Sequence, residues 1–191
     1  MNLILVFEQL LNGVQFGVML FLMAAGLTLV FGIMNLVNLA HGSLYMVGAY
    51  LTVAAVQWTG SYPLGVLLGL LGTLLVGMLV EVIALRTLYE RDHLDQVLAT
   101  FGLILFFNEL IAILRGRAAL YTSLPTYLQG FIEIIPGSIY PVYRALVIGV
   151  GLIVGAVLWY VVAKTRLGML IRAGASNRTM VAALGVNIRL L

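Results

Sequence analysis

Cysteine is absent from this 191-residue chain, which excludes disulfides and thiolate metal sites. Charge is scarce: Asp, Glu, Lys and Arg supply 9% of the residues, against about a quarter in an ordinary soluble domain. Lysine occurs once, as Lys164 in "AKTRLG", and no G-x-x-x-x-G-K-[ST] run is present, so the chain offers no Walker-type nucleotide loop. The two histidines, His41 and His93, stand apart from each other and have no carboxylate at a useful spacing. They give neither a metal-ligand set nor a catalytic pair, and no cofactor is expected. No basic run carries interleaved aromatics, so nucleic acid is not a partner. The opening "MNLILVFEQLLNG" lacks the basic segment of a cleavable signal peptide.

Apolar residues fill the space that charge leaves. They make up 63% of the chain, and the mean hydropathy is +1.14. So few charges cannot cover a water-facing surface, and the composition predicts an integral membrane protein of the all-α class, a polytopic helical bundle. A spanning helix needs roughly 20 apolar residues. Five stretches meet or approach that length, at about 11–34, 43–58, 64–85, 97–114 and 145–163, the second and fourth being short. The four prolines, Pro63, Pro125, Pro136 and Pro141, all fall between these stretches, as expected of a residue that breaks helices.

Basic residues set the expected orientation. The loop after the third stretch and the region after the fifth hold Arg86, Arg91, Lys164, Arg166, Arg172, Arg178 and Arg189. The opposite side holds Arg115, Arg117 and Arg144. The positive-inside rule therefore predicts an external N-terminus and a cytoplasmic C-terminal segment. The long external connection at about 115–144, with Tyr121, Tyr127, Phe131, Glu133, Tyr140 and Tyr143, reads as an interfacial aromatic loop or as a docking surface for an external partner. Glycine recurs as G-x-x-x-G at Gly13/Gly17, Gly65/Gly69 and Gly151/Gly155, which favours close helix packing.

Polar residues inside the apolar stretches are the candidates for function. In "FGIMNLVNLAHGSLYMVGAY", residues 31–50, Asn35, Asn38 and His41 recur every third position and so lie near one helical face. Gly42–Ser43 would break the helix there, with Ser43 as the N-cap of the next one. Such a break is either part of a transport pathway or gate, or a tight turn whose amides satisfy loose backbone groups. Asn108 and Glu109 form a possible intramembrane polar site, although Glu109 lies about two turns from Arg115 and can reach the surface. Glu81 is expected to pair with Arg86, and "RDHLDQ", residues 91–96, reads as a solvated loop.

The basic tail 165–191 is expected to hold a short helix capped by Ser176 or Asn177. Met180, Val181 and Leu184 would give it an apolar stripe, and Gly185 would end it in a left-handed turn. Such a helix either lies on anionic membrane lipid or packs into a groove on a partner.

The run "GLTLVFGIMNLVNLAHGSLYMVGAYL" resembles the N-terminal part of LivH-type permeases of branched-chain amino acid ABC importers. Asn38, Ala40, His41, Gly42, Tyr45, Met46, Gly48, Ala49 and Tyr50 match the family signature N-x-A-H-G-x-x-Y-M-x-G-A/S-Y. "TRLGMLIRAGASNRTMVAALGVNIRLL" resembles the family's coupling loop, and Ala182, Ala183 and Gly185 resemble its small-residue pattern. The resemblance implies a multi-pass subunit of the bacterial inner membrane, one permease domain over 1–191 with a cytoplasmic coupling loop at 165–191. It implies separate ABC ATPase subunits, a second permease subunit and a periplasmic solute-binding protein as partners. It also implies that ATP hydrolysis belongs to another chain and that further membrane segments follow in the family, so that 1–191 reads as an N-terminal portion. Relatives that carry urea or amides share the same signature and stay open, as does, at a greater distance, an ion-coupled secondary transporter.

Overall fold

The computed structural model describes residues 3–34, 36–89, 91–118, 120–177, 180–181 and 185. The architecture is helical, in the order α1 (Leu3–Met34), α2 (His41–Thr59), α3 (Tyr62–Ile83), a 3-10 turn (Leu85–Leu88), α4 (His93–Arg115), a second 3-10 turn (Thr126–Leu128), β1 (Phe131–Glu133), β2 (Ile139–Pro141), α5 (Val142–Lys164) and α6 (Arg166–Ser176). Among the described residues, α1, α3, α4 and α5 are long and apolar enough to cross a membrane. The second expected stretch forms α2, 19 residues long and diluted by His41, Ser43, Thr52, Gln57 and Thr59. Leucine, phenylalanine and tryptophan side chains stand exposed along these helices, Trp58, Leu75 and Trp159 among them, as on surfaces whose solvent is lipid.

The chain divides into two compact units, Met1–Met34 with Thr126–Leu191, and Asn35–Pro125. In the second unit α2 and α3 form an antiparallel hairpin. Gly60 ends α2 at φ +65°, where a left-handed residue lets its N–H reach Val56 O at 2.9 Å. Pro63 then sits in the first turn of α3, where its missing N–H costs nothing. The helices meet backbone to backbone. A Cβ on Gly65 would lie 2.8 Å from Val56 Cα, and one on Gly69 2.8 Å from Thr52 Cα. Thr73 closes the row against Gly48.

In the first unit α1 and α5 pack through the other glycine pair, Gly151 against Val18 and Leu22, and Gly155 against Phe21. Nearer the start of both helices, Arg144 Nη1 donates to Asn12 Oδ1 at 2.6 Å. Residue numbers rise in the same direction along both helices, so α1 and α5 run parallel. Gly13 and Gly17, the remaining pair, have open space where a Cβ would stand, and they make no close approach. Two of the three G-x-x-x-G motifs are therefore packing sites.

The long aromatic connection contains a small antiparallel hairpin, pairing Phe131 with Pro141, Ile132 with Tyr140 and Glu133 with Ile139. Its tip is the Pro136–Gly137 turn, with Gly137 at φ +91° and Ser138 N–H donating to Ile135 O at 2.8 Å. The Glu133 carboxylate accepts the Gly137 N–H at 2.7 Å, and the Glu8 carboxylate on α1 accepts from the Ser138 hydroxyl at 3.2 Å. The hairpin is thereby tied to the first turns of α1.

The close approaches fix one prediction. Gly69→Val forces apart two helix backbones, and overpacking of this kind costs about 1–3 kcal/mol. The purified protein should lose several degrees of thermal stability. Gly13→Ala, facing open space, should leave it unchanged or slightly raised. Equal losses at the two sites would contradict the packing described.

Candidate functional site

The candidate break lies one turn earlier than the sequence suggested. Helix α1 ends at Met34, the segment 36–40 is non-helical, and α2 begins at His41. Asn38 makes the turn: its Oδ1 accepts the Ala40 N–H at 3.0 Å, and its backbone carbonyl accepts the His41 N–H at 3.4 Å. This local bond competes with helix and turns the chain before Gly42. Ala40, not Ser43, is the N-cap residue of α2. Gly42 and Ser43 lie inside the first turn of that helix, with the Ser43 N–H bonded to Ala40 O at 3.0 Å. Asn38 and His41 therefore do not share one continuous helical face. Asn35 lies outside the described residues.

Asn38 and Ser43 are buried, His41 half-buried and Gly42 exposed. Leu36 and Ala40 are fully enclosed beside them. The group that holds the break is one the sequence placed in a solvated loop. Gln96, 3% exposed, projects from the first turns of α4. Its Nε2 donates to Leu88 O and to Arg91 O, both at 3.1 Å. Its Oε1 accepts the Val37 N–H at 3.3 Å and lies 3.4 Å from His93 Nδ1. The amide orientation follows from these partners, because two carbonyls require the NH₂ and a backbone N–H requires the oxygen. A proton on His93 Nδ1 gives Oε1 its second bond. Thr100, fully buried one turn on, donates to Gln96 O at 2.7 Å and lies 3.4 Å from Val37 O.

One side chain thus bonds three backbone groups from two irregular segments, the break before α2 and the connection between α3 and α4. Gln96, Thr100 and Phe107 are the buried residues of α4, on one helical stripe. The signal for Gln96 was its place on that stripe rather than its polarity. Glu81 likewise departs from expectation: its Oε1 accepts from the Tyr89 hydroxyl at 2.9 Å, and among the described residues it forms no ion pair with Arg86. Asn108 and Glu109 are exposed on α4. Glu109 meets Arg117 rather than Arg115, at 3.5 Å and with both side chains largely exposed, so it is a weak surface pair.

The second candidate region begins with a helix the sequence did not suggest. After Lys164, Thr165 caps α6, its Oγ1 accepting from Gly168 N–H at 3.2 Å. Gly168 is pressed against the carbonyls of Val161 and Val162, leaving no room for a Cβ. The Arg172 guanidinium donates to Val162 O, placing a cation on the negative end of α5. Asn177 ends α6 and caps the next turn: its Oδ1 accepts the Met180 N–H at 3.0 Å, and its carbonyl accepts the Val181 N–H at 3.2 Å. Ser176 is the last residue of α6 and not a cap. Val181 is buried, Met180 exposed, and Gly185 has φ +83° as expected for a left-handed stop. Ala182, Ala183 and Leu184 lie outside the described residues.

Parallel α1 and α5, a glycine-packed α2–α3 hairpin and a helix break held by a buried amide define a polytopic α-helical membrane protein. The model of the branched-chain amino acid transport system / permease component family matches residues 9–191, and the chain belongs to that family. It is similar to the high-affinity branched-chain amino acid transport system permease protein BraD of Pseudomonas aeruginosa, 29% identical over 94% of this chain. It is similar also to the permease proteins LivH of Salmonella typhimurium and Escherichia coli K12, each 27% identical over 94%. The chain spans 62% of the length of each of these relatives. No solved structure matches it.

Removing the Gln96 amide should be costly. Gln96→Leu keeps the volume but leaves Val37 N–H and Arg91 O without a partner, while Leu88 O keeps the Arg91 N–H; an unpaired group shielded from water costs about 1–3 kcal/mol. Gln96→Glu keeps the acceptor and turns both donors into repulsion against carbonyls. Thermal unfolding should rank wild type above Thr100→Val, and Thr100→Val above both Gln96 variants. Wild-type stability in Gln96→Leu would show that water replaces the amide freely.

Proposed function

We propose that the chain is a transmembrane permease component of an ABC importer for branched-chain or related neutral amino acids in the bacterial inner membrane. The family match over 9–191 carries the reading, and the transport role of BraD and LivH supplies the substrate class. ATP hydrolysis belongs to separate ATPase subunits. A second permease subunit and a periplasmic solute-binding protein complete the assembly.

The topology obeys a parity condition. With α1 and α5 parallel, residues 35–125 must carry the chain across the bilayer an odd number of times. Helices α3 and α4 supply two passages, and α2, antiparallel to α3 along its glycine contact, supplies the third. This supports five crossings. The basic residues then favour an external N-terminus and a cytoplasmic α6. On that orientation the Gln96-held break lies at the cytoplasmic ends of α2 and α4. We assign Asn35, Asn38, His41, Gly42 and Ser43 to the inner gate of the pathway. A cleft of about 360 Å³, lined by Gln57, Tyr62, Tyr121, Thr122 and Ser123, opens on the outer side, where the solute-binding protein would dock.

Coupling is assigned to the segment after α5. Helix α6 is locked to the end of α5 by Arg172 and Gly168, so a pull on the 176–187 region reaches α5 and, through Gly151 and Gly155, α1. Two packings of these helices would then alternate access to the site. Met180, exposed beside the buried Val181, is the apolar contact offered to the ATPase.

Deletion of 176–187 from the full assembly should abolish ATP-driven leucine uptake in proteoliposomes while ATPase turnover persists. Undiminished uptake would refute the coupling assignment. Orientation can be read separately, because the cysteine-free chain needs no background removal: Ser123→Cys should react with an impermeant maleimide from outside, and Ser176→Cys only after permeabilisation.

A further inference from the structure

A second cavity lies away from the helix break, in the unit formed by α2, α3 and α4. It has a volume of about 250 Å³, and Leu51, Ala54, Val76, Phe107 and Leu110 are among its walls, with Arg115 among its polar members. Among the described residues, the only other polar side chain lining it is the Tyr50 phenol. From Phe107 to Leu114 it follows α4 for two turns, about 10 Å at 1.5 Å per residue. It therefore runs along a membrane-spanning helix and stops where that helix stops, at Arg115. The neighbouring guanidinium, Arg117, is engaged by Glu109. Arg115 has no hydrogen bond or ion pair among the described residues.

We propose that this groove holds one acyl chain of an anionic phospholipid, with the lipid phosphate on Arg115. Three observations select that occupant. The walls are hydrocarbon and lie at the depth of the bilayer core, which suits a chain of methylenes. The free guanidinium stands at the end of a spanning helix, the level of lipid phosphates, and its fork matches phosphate oxygens. A transported amino acid fits poorly, because its ammonium would be buried in a groove with no carboxylate among the described residues that line it. The site is thus a lipid wedge between α2 and α4 and not part of the substrate path. It rests on the membrane-spanning character of α4 and is independent of the proposed transport activity.

Native mass spectrometry of the protein, purified gently from mixed phosphatidylglycerol and phosphatidylethanolamine bilayers, tests this. The wild type should retain one phosphatidylglycerol per chain in preference to phosphatidylethanolamine. Arg115→Gln, an exposed helix-end change that does not disturb packing, should lower that retention about tenfold and erase the headgroup preference. Ala54→Phe, which fills the groove, should lower retention of both lipids; its thermal unfolding, measured beside the wild type, separates a filled groove from a misfolded protein. Undiminished phosphatidylglycerol retention in both variants would overturn the proposal. So would crosslinking of Leu114→Cys between two copies of the chain, which would show that protein covers the groove. A loss of uptake with lipid retention intact bears on the transport reading alone.

Discussion

A backbone that leaves the helix inside apolar surroundings must find partners for every N–H and C=O it exposes, because lipid offers none. Gln96 meets that requirement for this protein. Its two amide protons go to Leu88 O and Arg91 O, and its oxygen to Val37 N–H. Without it, Val37 N–H and Arg91 O would lose their partner, and Leu88 O would keep only the Arg91 N–H. The break between α1 and α2, the turn after α3 and the start of α4 are therefore one structure. Asn38 supplies the local half of the same solution by turning its side chain onto Ala40 N–H. For the inner gate proposed at this place, a second arrangement would have to exchange several hydrogen bonds at once.

Within each unit the helices are held by a different force. Lipid removes the hydrophobic drive for helix association, and close van der Waals fit remains. Gly65 and Gly69 bring α3 onto the backbone of α2, and Gly151 and Gly155 admit Val18, Leu22 and Phe21 of α1. At Gly65 and Gly69 backbone meets backbone, whereas at Gly151 and Gly155 side chains of α1 seat against the glycines. Helix α1 at 32 residues is about 48 Å long, well beyond a hydrocarbon core of about 30 Å. It must tilt or project, and Asn12 and Glu8 near its start are the polar groups that meet Arg144 and Ser138.

At the other end, α5 and α6 form a stiff corner. Its rigidity comes from orphan carbonyls at a helix C-terminus being claimed by a guanidinium and by a glycine that lets the next helix close on them. On the coupling role proposed for this region, force applied beyond Asn177 would pass through these hydrogen bonds. The same logic explains why Thr165 and Asn177, both side-chain caps, punctuate the region.

Composition alone determined that this chain lives in a membrane, since 9% charge cannot make a water-facing surface. Length and apolar runs located the spanning helices, the prolines located connections, and the run around Asn38 to Tyr50 pointed to the family. These are local properties, carried by each segment wherever it packs. Tertiary structure decided the rest. A three-residue spacing put Asn35, Asn38 and His41 on one helix, but a side chain 59 positions from Val37 holds a non-helical segment there. Gln96 looked like a loop residue because its partners are backbone groups, which no side-chain pattern reveals. Gly13/Gly17 and Gly65/Gly69 read identically in sequence, and only the neighbouring helix distinguishes a packing site from an empty face. Caps and glycine turns belong to the chain; satisfaction of buried backbone belongs to the fold, because it depends on which segments meet.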